Sequence, residues 1–281
     1  MSVKFGPAGN SESFYEQGGK SSLEMPKWLC AMGLDAYEYQ CGRGVKISDD
    51  SAIKLGGEAG LNNIALSIHS PYYVNIATDD AEKQQKSIGY IMQTARAAHY
   101  MGAGRVVVHM GANGKNTRRQ GIEISKDIIK QTLTLMRDAG YNAALCLETM
   151  GKKNQLGTVS ETVEVCGIDD TLLPALDFGH INARGEGCIK GIEDYRQILD
   201  EVENALGFDR LARVHIHFNK IEYTHMGERK HLTMADTVYG PEFEPLAELI
   251  YKRNLEPVII CESDGVMAED AKKLKEIYSL L

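Results

Sequence analysis

The chain has 281 residues, of which 43% are hydrophobic, and a formal net charge of −8 at pH 7. This length suits one large α/β domain, since barrels of this class commonly run to about 250 residues as a single unit. The N-terminus is polar and rich in glycine, unlike a signal peptide, and no apolar run approaches the roughly 20 residues that span a bilayer. We therefore expect a cytoplasmic protein with a single domain over residues 1–281 and no membrane contact, and we expect it to act as a monomer.

The cysteine spacing and the net charge indicate whether disulfides and nonspecific nucleic-acid binding are to be expected. The six cysteines are widely spaced and form no Cys-x-x-Cys pair, and Cys146 and Cys261 lie within apolar runs. Reduced, mostly buried thiols are therefore a better interpretation than disulfides. The negative net charge argues weakly against nonspecific nucleic-acid binding. A local basic groove is still compatible with this net charge, because the attraction of a charged ligand depends on how the charges are distributed over the surface.

Segments of strand character recur along the chain and predict eight strands. They cover residues 3–5, 36–40, 63–69, 105–109, 143–148, 173–177, 213–217 and 257–262. The fifth segment lies between Gly140 and Gly151, and its small and branched apolar residues are typical of a strand buried on both faces. It ends in Glu148, whose carboxylate is costly to bury unless a cation or a donor compensates it.

Helical patterns separate the predicted strands. The clearest covers residues 81–101, with apolar residues at helical spacing and Gly102 as the expected stop, and Thr158-Val159-Ser160-Glu161 has the form of a capping box. Further amphipathic segments lie at residues 48–59, 121–139, 193–206, 242–252 and 268–278. This βα alternation predicts a single-domain TIM (β/α)8 barrel, with a doubly wound open sheet as the main alternative.

Six of the predicted strands end in a side chain that can bind a metal ion. These residues are His69, His109, Glu148, Asp177, His217 and Glu262. In a parallel barrel all of these ends meet at one mouth, where active sites of this fold are built. Each residue alone is compatible with a structural role in which it forms a hydrogen bond. Burying all six side chains together at one barrel mouth would be strongly unfavourable without a neutralising charge. Mixed histidine and carboxylate ligands suit Zn²⁺, Mn²⁺ or Fe.

Further candidates lie close to these strand ends. His180 follows Asp177 by three residues, and the loop expected after the seventh strand contains His225, Glu228 and His231. His215 precedes His217 by two residues and therefore points to the same face, one layer deeper in the barrel. We expect His215 to be a hydrogen-bonded core residue rather than a metal ligand.

From Gln40 to Glu262 the chain resembles the endonuclease IV family of apurinic/apyrimidinic endonucleases, which are trinuclear zinc TIM-barrel phosphodiesterases. The motifs that carry the resemblance are His69 followed by Ser70-Pro71-Tyr72-Tyr73, Leu147-Glu148-Thr149, Asp177-Phe178-Gly179-His180, His217-Phe218-Asn219 and Cys261-Glu262-Ser263. The resemblance implies two or three zinc ions, with Mn²⁺ or Fe²⁺ as alternatives. It implies His69, His109 and Glu148 on one ion; Glu148, Asp177, His217 and Glu262 on a second; and His180 on a third.

The third site is where the chain departs from the family, which has Asp-x-His after the seventh strand. Here the sequence reads Gly227-Glu228-Arg229-Lys230-His231, so that a strict alignment puts a lysine on a ligand position. Glu228 and His231 are the expected replacements through Glu-x-x-His spacing. Occupancy of this third site is left open by the sequence.

The resemblance also implies damaged double-stranded DNA as the substrate. Family members insert side chains into DNA from segments that correspond here to Gln40, Arg43, Tyr72 and Tyr73. The sequence is equally compatible with Tyr72 and Tyr73 stacking on an opened duplex and with their packing on the barrel rim. Five nearby basic residues are further candidates for phosphate contacts: Lys115, Arg118, Arg119, Lys152 and Lys153.

The implied reaction is phosphodiester hydrolysis 5′ to an abasic site, in which a hydroxide bridging two metals attacks phosphorus. Glu148 would bridge the metals and Glu262 would orient the nucleophile.

The main alternative is a sugar isomerase or epimerase of the xylose isomerase-like barrels, with Glu148, Asp177, His217 and Glu262 around one divalent metal. A third hypothesis is a degenerate barrel that binds nucleic acid or a small ligand. The additional His69, His109 and His180 favour more than one metal and hence the nuclease.

Overall fold

A computed structural model describes residues 3–281 of the protein. Eight parallel strands form one sheet, in which the last strand lies between the first and the seventh and the others follow chain order. The strands in chain order are β1 (Lys4–Pro7), β2 (Ala36–Gln40), β3 (Ala65–His69), β4 (Arg105–His109), β5 (Ala144–Glu148), β6 (Leu173–Asp177), β7 (His215–Phe218), β8 (Ile221–Thr224), β9 (Gly227–His231) and β10 (Val258–Cys261). Strands β8 and β9 form a separate antiparallel hairpin.

The sheet closes between β1 and β2. The backbone N–H of Asp35 donates to the carbonyl of Phe5 and that of Gly9 donates to the carbonyl of Glu38, both at 2.9 Å. Ala8 and Glu38 also form a parallel bridge across the same seam. The predicted TIM barrel is therefore confirmed, and the open doubly wound sheet is wrong.

Helices surround the barrel and connect its strands. They are α1 (Glu12–Glu16), α2 (Met25–Ala31), α3 (Asp49–Leu61), α4 (Ala81–Met101), α5 (Arg118–Asp138), α6 (Val159–Cys166), α7 (Phe178–Arg184), α8 (Ile192–Leu206), α9 (Phe208–Ala212), α10 (Glu244–Lys252) and α11 (Met267–Ser279). Helix α4 has the predicted bounds and ends at Gly102 in the left-handed region, and the predicted capping box opens α6. Within residues 3–281, none of these helices is long and apolar enough to cross a membrane.

The structure departs from the sequence prediction in its short elements. Helices α1, α2, α7 and α9 are absent from the prediction, because each has too few turns to show a helical period. The segment after β7, which the sequence predicts to be a loop, is the β8–β9 hairpin. In this hairpin Glu222 is the register partner of Lys230, and the Glu222 carboxylate forms an ion pair with Arg229. Cross-strand pairs of charged side chains therefore help to stabilise a hairpin that has few apolar residues.

On the side formed by β4, β5 and β6, the barrel interior changes from apolar to polar toward the carboxyl ends of the strands. Val107, Cys146 and Ala175 belong to a small buried cluster, and each is followed two residues later by a polar side chain on the same face of its strand. These later residues are His109, Glu148 and Asp177. All six cysteines are free. The fold thus concentrates titratable groups at the carboxyl mouth, above a small apolar cluster formed by β4, β5 and β6.

Candidate metal centre

Glu148 is the hub of the groups gathered at the barrel mouth. Its side chain is only 1% exposed. One carboxylate oxygen, Oε2, lies 3.1 Å from His69 Nε2 and 3.0 Å from His109 Nε2. The other, Oε1, lies 3.3 Å from His217 Nδ1 and 3.4 Å from His180 Nδ1. Both oxygens of one buried carboxylate are therefore shared among four imidazoles.

The charges in this cluster depend on one another. Burial raises the pKa of Glu148, but the charge of His109 and hydrogen bonds from the surrounding imidazoles hold it well below its usual range. Burial lowers the pKa of His69, but its contact with Glu148 outweighs this and raises the pKa to about 9. For His180 and His217 the neighbouring carboxylates likewise outweigh burial and hold the pKa well above its usual value. Without a cation, protonated imidazoles supply the positive charge that the buried acids require.

Asp177 contains an unsatisfied anionic oxygen at the centre of this cluster. Its Oδ1 accepts the backbone N–H of His180 at 2.7 Å, whereas Oδ2 is buried and has no hydrogen-bond partner. Burial and the charges of Glu262 and Glu148 raise the pKa of Asp177 to about 6, against the opposing charge of His180. A buried carboxylate oxygen without a donor is the environment that a bound cation would satisfy.

The metal-competent side chains at the mouth fall into three groups, and in each group the ligand atoms lie within 4.8 Å of one another. These groups are His69, Glu148 and His217; Glu148, Asp177, His217 and Glu262; and His180, Glu228 and His231. The first two groups share Glu148 and His217. His109 joins the first group through its 3.0 Å contact with Glu148. All of the predicted metal-site residues thus lie together at one mouth.

A β-bulge brings the third group together. Tyr223 pairs with Glu228 and Glu222 pairs with Lys230, so that Arg229 is an extra residue in β9. Because of the bulge, the side chains of Glu228 and His231 lie on the same side of the strand. Glu228 Oε2 lies 3.4 Å from His180 Nε2, and Glu228 Oε1 lies 3.8 Å from His231 Nε2. Lys230 is directed away and pairs with Asp264 at 3.0 Å. The lysine that a strict alignment places on a ligand position therefore lies outside the cluster.

Two glycines dock this hairpin on the loop after β5. Gly227 has a φ of +93°, and a Cβ added there would lie 2.2 Å from the carbonyl oxygen of Gly151. A Cβ added at Gly151 would lie 2.6 Å from Glu228 Cβ. The backbone N–H of Glu228 donates to the Gly151 carbonyl at 3.1 Å. The close backbone approach holds Glu228 over His180.

Three of the histidines are oriented by backbone carbonyl groups. The Nδ1–H of His69 donates to the carbonyl of Ser70 at 2.8 Å, that of His180 to Thr149 at 3.0 Å, and that of His231 to Glu262 at 3.2 Å. Each of these bonds leaves Nε2 free to face the carboxylates. A fixed imidazole tautomer of this kind is what metal-ligating histidines require.

Glu38, a fully buried acid in the middle of β2, is not among the site residues predicted from the sequence. It lies 3.0 Å from His215 Nε2 and 3.1 Å from His217 Nε2, directly beneath the cluster. His215 is hydrogen-bonded in the core, as predicted, and burial lowers its pKa to about 4. The available signal was an acid between Tyr37 and Tyr39, at an interior-facing position of the strand.

The predicted DNA-contacting residues lie at the rim of the same mouth. Tyr72 and Tyr73 are 52% and 44% exposed, and their ring centroids are 4.3 Å apart. Gln40 and Tyr72 help to line a cavity of about 300 Å³ above the cluster. Arg43 is exposed. Both tyrosines therefore present ring surface to solvent rather than packing entirely on the rim.

Most of the basic residues expected near the mouth are engaged by acids. Arg118 pairs with Glu161, Arg119 with Glu164, and Lys153 with Glu186. Lys152 lines the cavity and Lys115 is exposed. Nonlocal ion pairs thus engage three of these five residues, and Lys152 is the one of the five that lines the cavity.

The fold and the site define the class of protein. Residues 26–277 match the family model described as xylose isomerase-like TIM barrel, and the chain belongs to this family. An epimerase-like protein and an endonuclease IV are both among the similar structures.

Two relatives illustrate the similarity in sequence. An uncharacterized protein of Methanocaldococcus jannaschii is 32% identical over 253 residues, which cover 90% of each chain. The "Probable endonuclease 4" of Acholeplasma laidlawii is 24% identical over 183 residues, covering 63% of this chain and 60% of that protein. The chain therefore aligns with less than two thirds of the length of this second relative. The resemblance to endonuclease IV inferred from the sequence motifs is confirmed by such relatives.

Two solved structures share the fold. A D-tagatose 3-epimerase-like protein superimposes with a TM-score of 0.73 at 20% identity, covering 99% of this chain and 96% of that chain. Endonuclease IV from Thermus thermophilus superimposes with a TM-score of 0.71 at 19% identity, covering 99% of this chain and 100% of that chain. At these identities the similarity establishes the barrel and does not choose between the two activities.

Proposed function

We propose that the protein is a metal-dependent phosphodiesterase that cleaves damaged double-stranded DNA 5′ to abasic sites. The observation that carries the proposal is the sharing of both Glu148 oxygens among four imidazoles. A carboxylate in this position suits a bridge between cations better than a ligand to one isolated ion. The relatives named as probable endonuclease 4 support the same activity.

The residues present fit bound divalent cations. Asp177 Oδ2 is buried without a donor, and the tautomers of His69, His180 and His231 leave Nε2 available. Imidazole and carboxylate donors suit Zn²⁺, with Mn²⁺ and Fe²⁺ as alternatives. The proposed ligand sets are His69, His109 and Glu148; Glu148, Asp177, His217 and Glu262; and His180, Glu228 and His231.

When bound, divalent cations would neutralise phosphate charge and activate water for attack. The side chains of this chain have separate proposed roles. Glu148 holds the cation sites together, and Glu262, which lies 3.6 Å from His217 and 4.0 Å from His231, orients the attacking water and accepts its proton. Glu262 is suited to this because its side chain is 15% exposed at the cavity edge, whereas Glu148 is buried.

The rim residues are proposed to position the DNA. Tyr72 and Tyr73 offer exposed rings for base stacking, while Gln40 ends β2 and Arg43 lies in the turn after it. The cavity of about 300 Å³ is at the small end of ligand pockets. Such a cavity suits a nucleotide that has lost its base. Lys152 at its edge is the proposed phosphate contact.

The test is cleavage of a duplex containing one abasic analogue by purified protein of known metal content. Nicking on the 5′ side of the analogue, with no cleavage of the matched intact duplex, is expected. Chelation should abolish nicking and Zn²⁺ should restore it. Binding of the damaged duplex without cleavage in the metal-loaded protein would instead support a degenerate, non-enzymatic barrel.

A sugar isomerase or epimerase is the second candidate. The observation that favours it is the compact set formed by Glu148, Asp177, His217 and Glu262, which alone could hold one divalent ion. The cavity volume also suits a monosaccharide. Interconversion of ketoses by protein that contains a single ion, with no nicking, would establish this function. Loss of that ion should then abolish the interconversion.

A further inference from the structure

His217 has the opposite orientation to the other histidines whose tautomers the structure defines. Its Nδ1 lies 3.3 Å from Glu148 Oε1, whereas His69 turns Nε2 toward Glu148, and His180 and His231 turn Nε2 toward Glu228. The Nδ1 of His180 also lies 3.4 Å from Glu148 Oε1, but its proton is donated to the Thr149 carbonyl. Those three histidines donate Nδ1–H to a backbone carbonyl. The Nε2 of His217 points down into the barrel, where it meets Glu38 at 3.1 Å.

Glu38 can only act as an acceptor in its surroundings. Its Oε2 accepts from Ser67 Oγ at 2.8 Å and from His215 Nε2 at 3.0 Å. Its Oε1 accepts from Gln40 Nε2 at 3.1 Å and faces His217 Nε2 at 3.1 Å. An ionised carboxylate has about four acceptor positions, and four donors fill them here. The proton of neutral His217 therefore belongs on Nε2.

Arg105 fixes this arrangement from below. Its guanidinium lies 3.3 Å from His215 Nδ1 and also donates to the carbonyls of Val214 and Arg213. Because a guanidinium only donates, His215 Nδ1 must accept and His215 Nε2 must carry the proton given to Glu38. If His217 Nε2 accepted from His215 instead, at 3.2 Å, its lone pair would face Glu38 Oε1. The hydrogen bonds therefore have one direction: Arg105 donates to His215, and His215 donates to Glu38.

We propose that Glu38 is a positioning residue that holds His217 in the tautomer whose Nδ1 can bind a metal ion. This inference rests on the proposed metal centre but not on the identity of its substrate. Glu38 does for His217 what backbone carbonyls do for the other three histidines. A side-chain acceptor takes this role because the Nε2 of His217 points into the barrel interior, where Glu38 lies 3.1 Å away.

Glu38 and His215 are not themselves assigned to a further metal site, although their ligand atoms and those of His217 lie within 4.8 Å of one another. Both Glu38 oxygens are occupied by hydrogen-bond donors. The Arg105 guanidinium beside His215 would also repel a cation. An additional ion that is lost on changing Glu38 or His215 alone would contradict this assignment.

The variant that isolates the tautomer is Glu38→Gln. Because Arg105 keeps His215 Nε2 as a donor, the glutamine oxygen should face His215 and its amide NH₂ should face His217. An NH₂ group there would donate to His217 Nε2 and force the imidazole proton onto Nδ1. Zinc affinity, measured by chelator competition without DNA, should fall by about 10- to 100-fold, the usual effect of losing such a partner.

Ser67→Ala is the matched control, because it removes one hydrogen bond to the same carboxylate and leaves the His217 contact intact. It should retain wild-type zinc affinity even if it lowers stability. Glu38→Asp keeps an acceptor and should bind zinc with intermediate affinity. A purely structural role for Glu38 predicts that zinc affinity follows stability across all three variants, and that result would overturn the proposal.

A direct readout needs no variant. Nitrogen-15 spectra of the zinc-loaded wild-type protein should show His217 protonated on Nε2 and metal-bound through Nδ1. A proton on Nδ1 would overturn the proposal, as would wild-type zinc affinity in Glu38→Gln. Failure of the protein to nick abasic DNA would leave these results unaffected, since they depend only on metal binding.

Discussion

His109 and Glu148 are register partners on adjacent strands, and their side chains meet with His109 Nε2 3.0 Å from Glu148 Oε2. Their pairing follows directly from the parallel ladder between β4 and β5, in which both residues are the last of their strand. The strand register therefore brings the hub carboxylate together with one of its imidazoles. The other contacts of Glu148 come from His69 on β3 and His217 on β7, each two strands away from β5 in the sheet, and from His180 on α7.

Replacing Glu148 by Gln should remove the hub of the centre. The imidazoles around it would lose their shared carboxylate, and at least one ion should be lost from the purified protein. Activity should fall by at least about 100-fold, as expected for a group that organises charge at the reacting centre. Metal analysis and single-turnover cleavage measure the two effects. Full metal content with unaltered cleavage would contradict the assigned role.

His69→Ala and His109→Ala separate the two candidate functions. In the proposed nuclease each change should remove one ion and nearly all nicking, because each histidine contacts Glu148. An isomerase centred on Glu148, Asp177, His217 and Glu262 should keep its single ion. His99→Ala is the control, since His99 is exposed on α4 and packs against Tyr100 and Tyr141. It should leave metal content unchanged.

Gly227→Ala should disturb the third group selectively. The added Cβ would meet the Gly151 carbonyl at 2.2 Å, and the φ of +93° disfavours any side chain. We expect a loss of about 1–3 kcal/mol in the free energy of unfolding, measured by denaturant titration, and loss of the ion held near Glu228. Gly114→Ala is the control, since Gly114 also has a positive φ but open space around it. Equal metal loss in both variants would be evidence against the docking role of Gly227.

Metal uptake should release protons at pH 7. In the metal-free protein the contact with Glu148 raises the pKa of His69 to about 9, so its imidazole is protonated at this pH, and a ligand imidazole must be neutral. Zinc affinity should therefore fall as pH is lowered from 9 toward 6. Calorimetry in buffers of different ionisation enthalpy counts the protons. Uptake of protons, or no proton exchange, would contradict the charge pairing between His69 and Glu148.

The same pKa shift predicts the pH dependence of metal-free stability. Because the pKa of His69 is raised on folding, its pairing stabilises the fold fully below the unfolded pKa of about 6.5. That contribution is lost as pH rises through about 9. Chemical unfolding of chelated protein between pH 6 and 10 measures the loss. His69→Ala should remove this part of the pH dependence.

The barrel and its ring of strand-end residues could be predicted because they depend on local periodicity. Parallel strands that end together place their last side chains at one mouth, so His69, His109, Glu148 and Asp177 could be located from the sequence. Glu38 was missed because it lies inside a strand, and its significance depends on His217 from a distant segment.

Other features depended on contacts that a single sequence does not display. The bulge at Arg229 exists only through pairing with β8, and it decides that His231 rather than Lys230 faces the cluster. The pairing of Arg118 with Glu161 joins residues from separate helices. Both features come from tertiary packing rather than from local pattern.

The central claim is that this barrel mouth holds more than one metal ion around Glu148. Element analysis of the purified protein, expressed as moles of metal per mole of chain, tests it most directly. The proposed centre predicts two or three zinc-like ions, falling by at least one in Glu148→Gln. A single ion per chain that is retained in both His69→Ala and His109→Ala would contradict the claim.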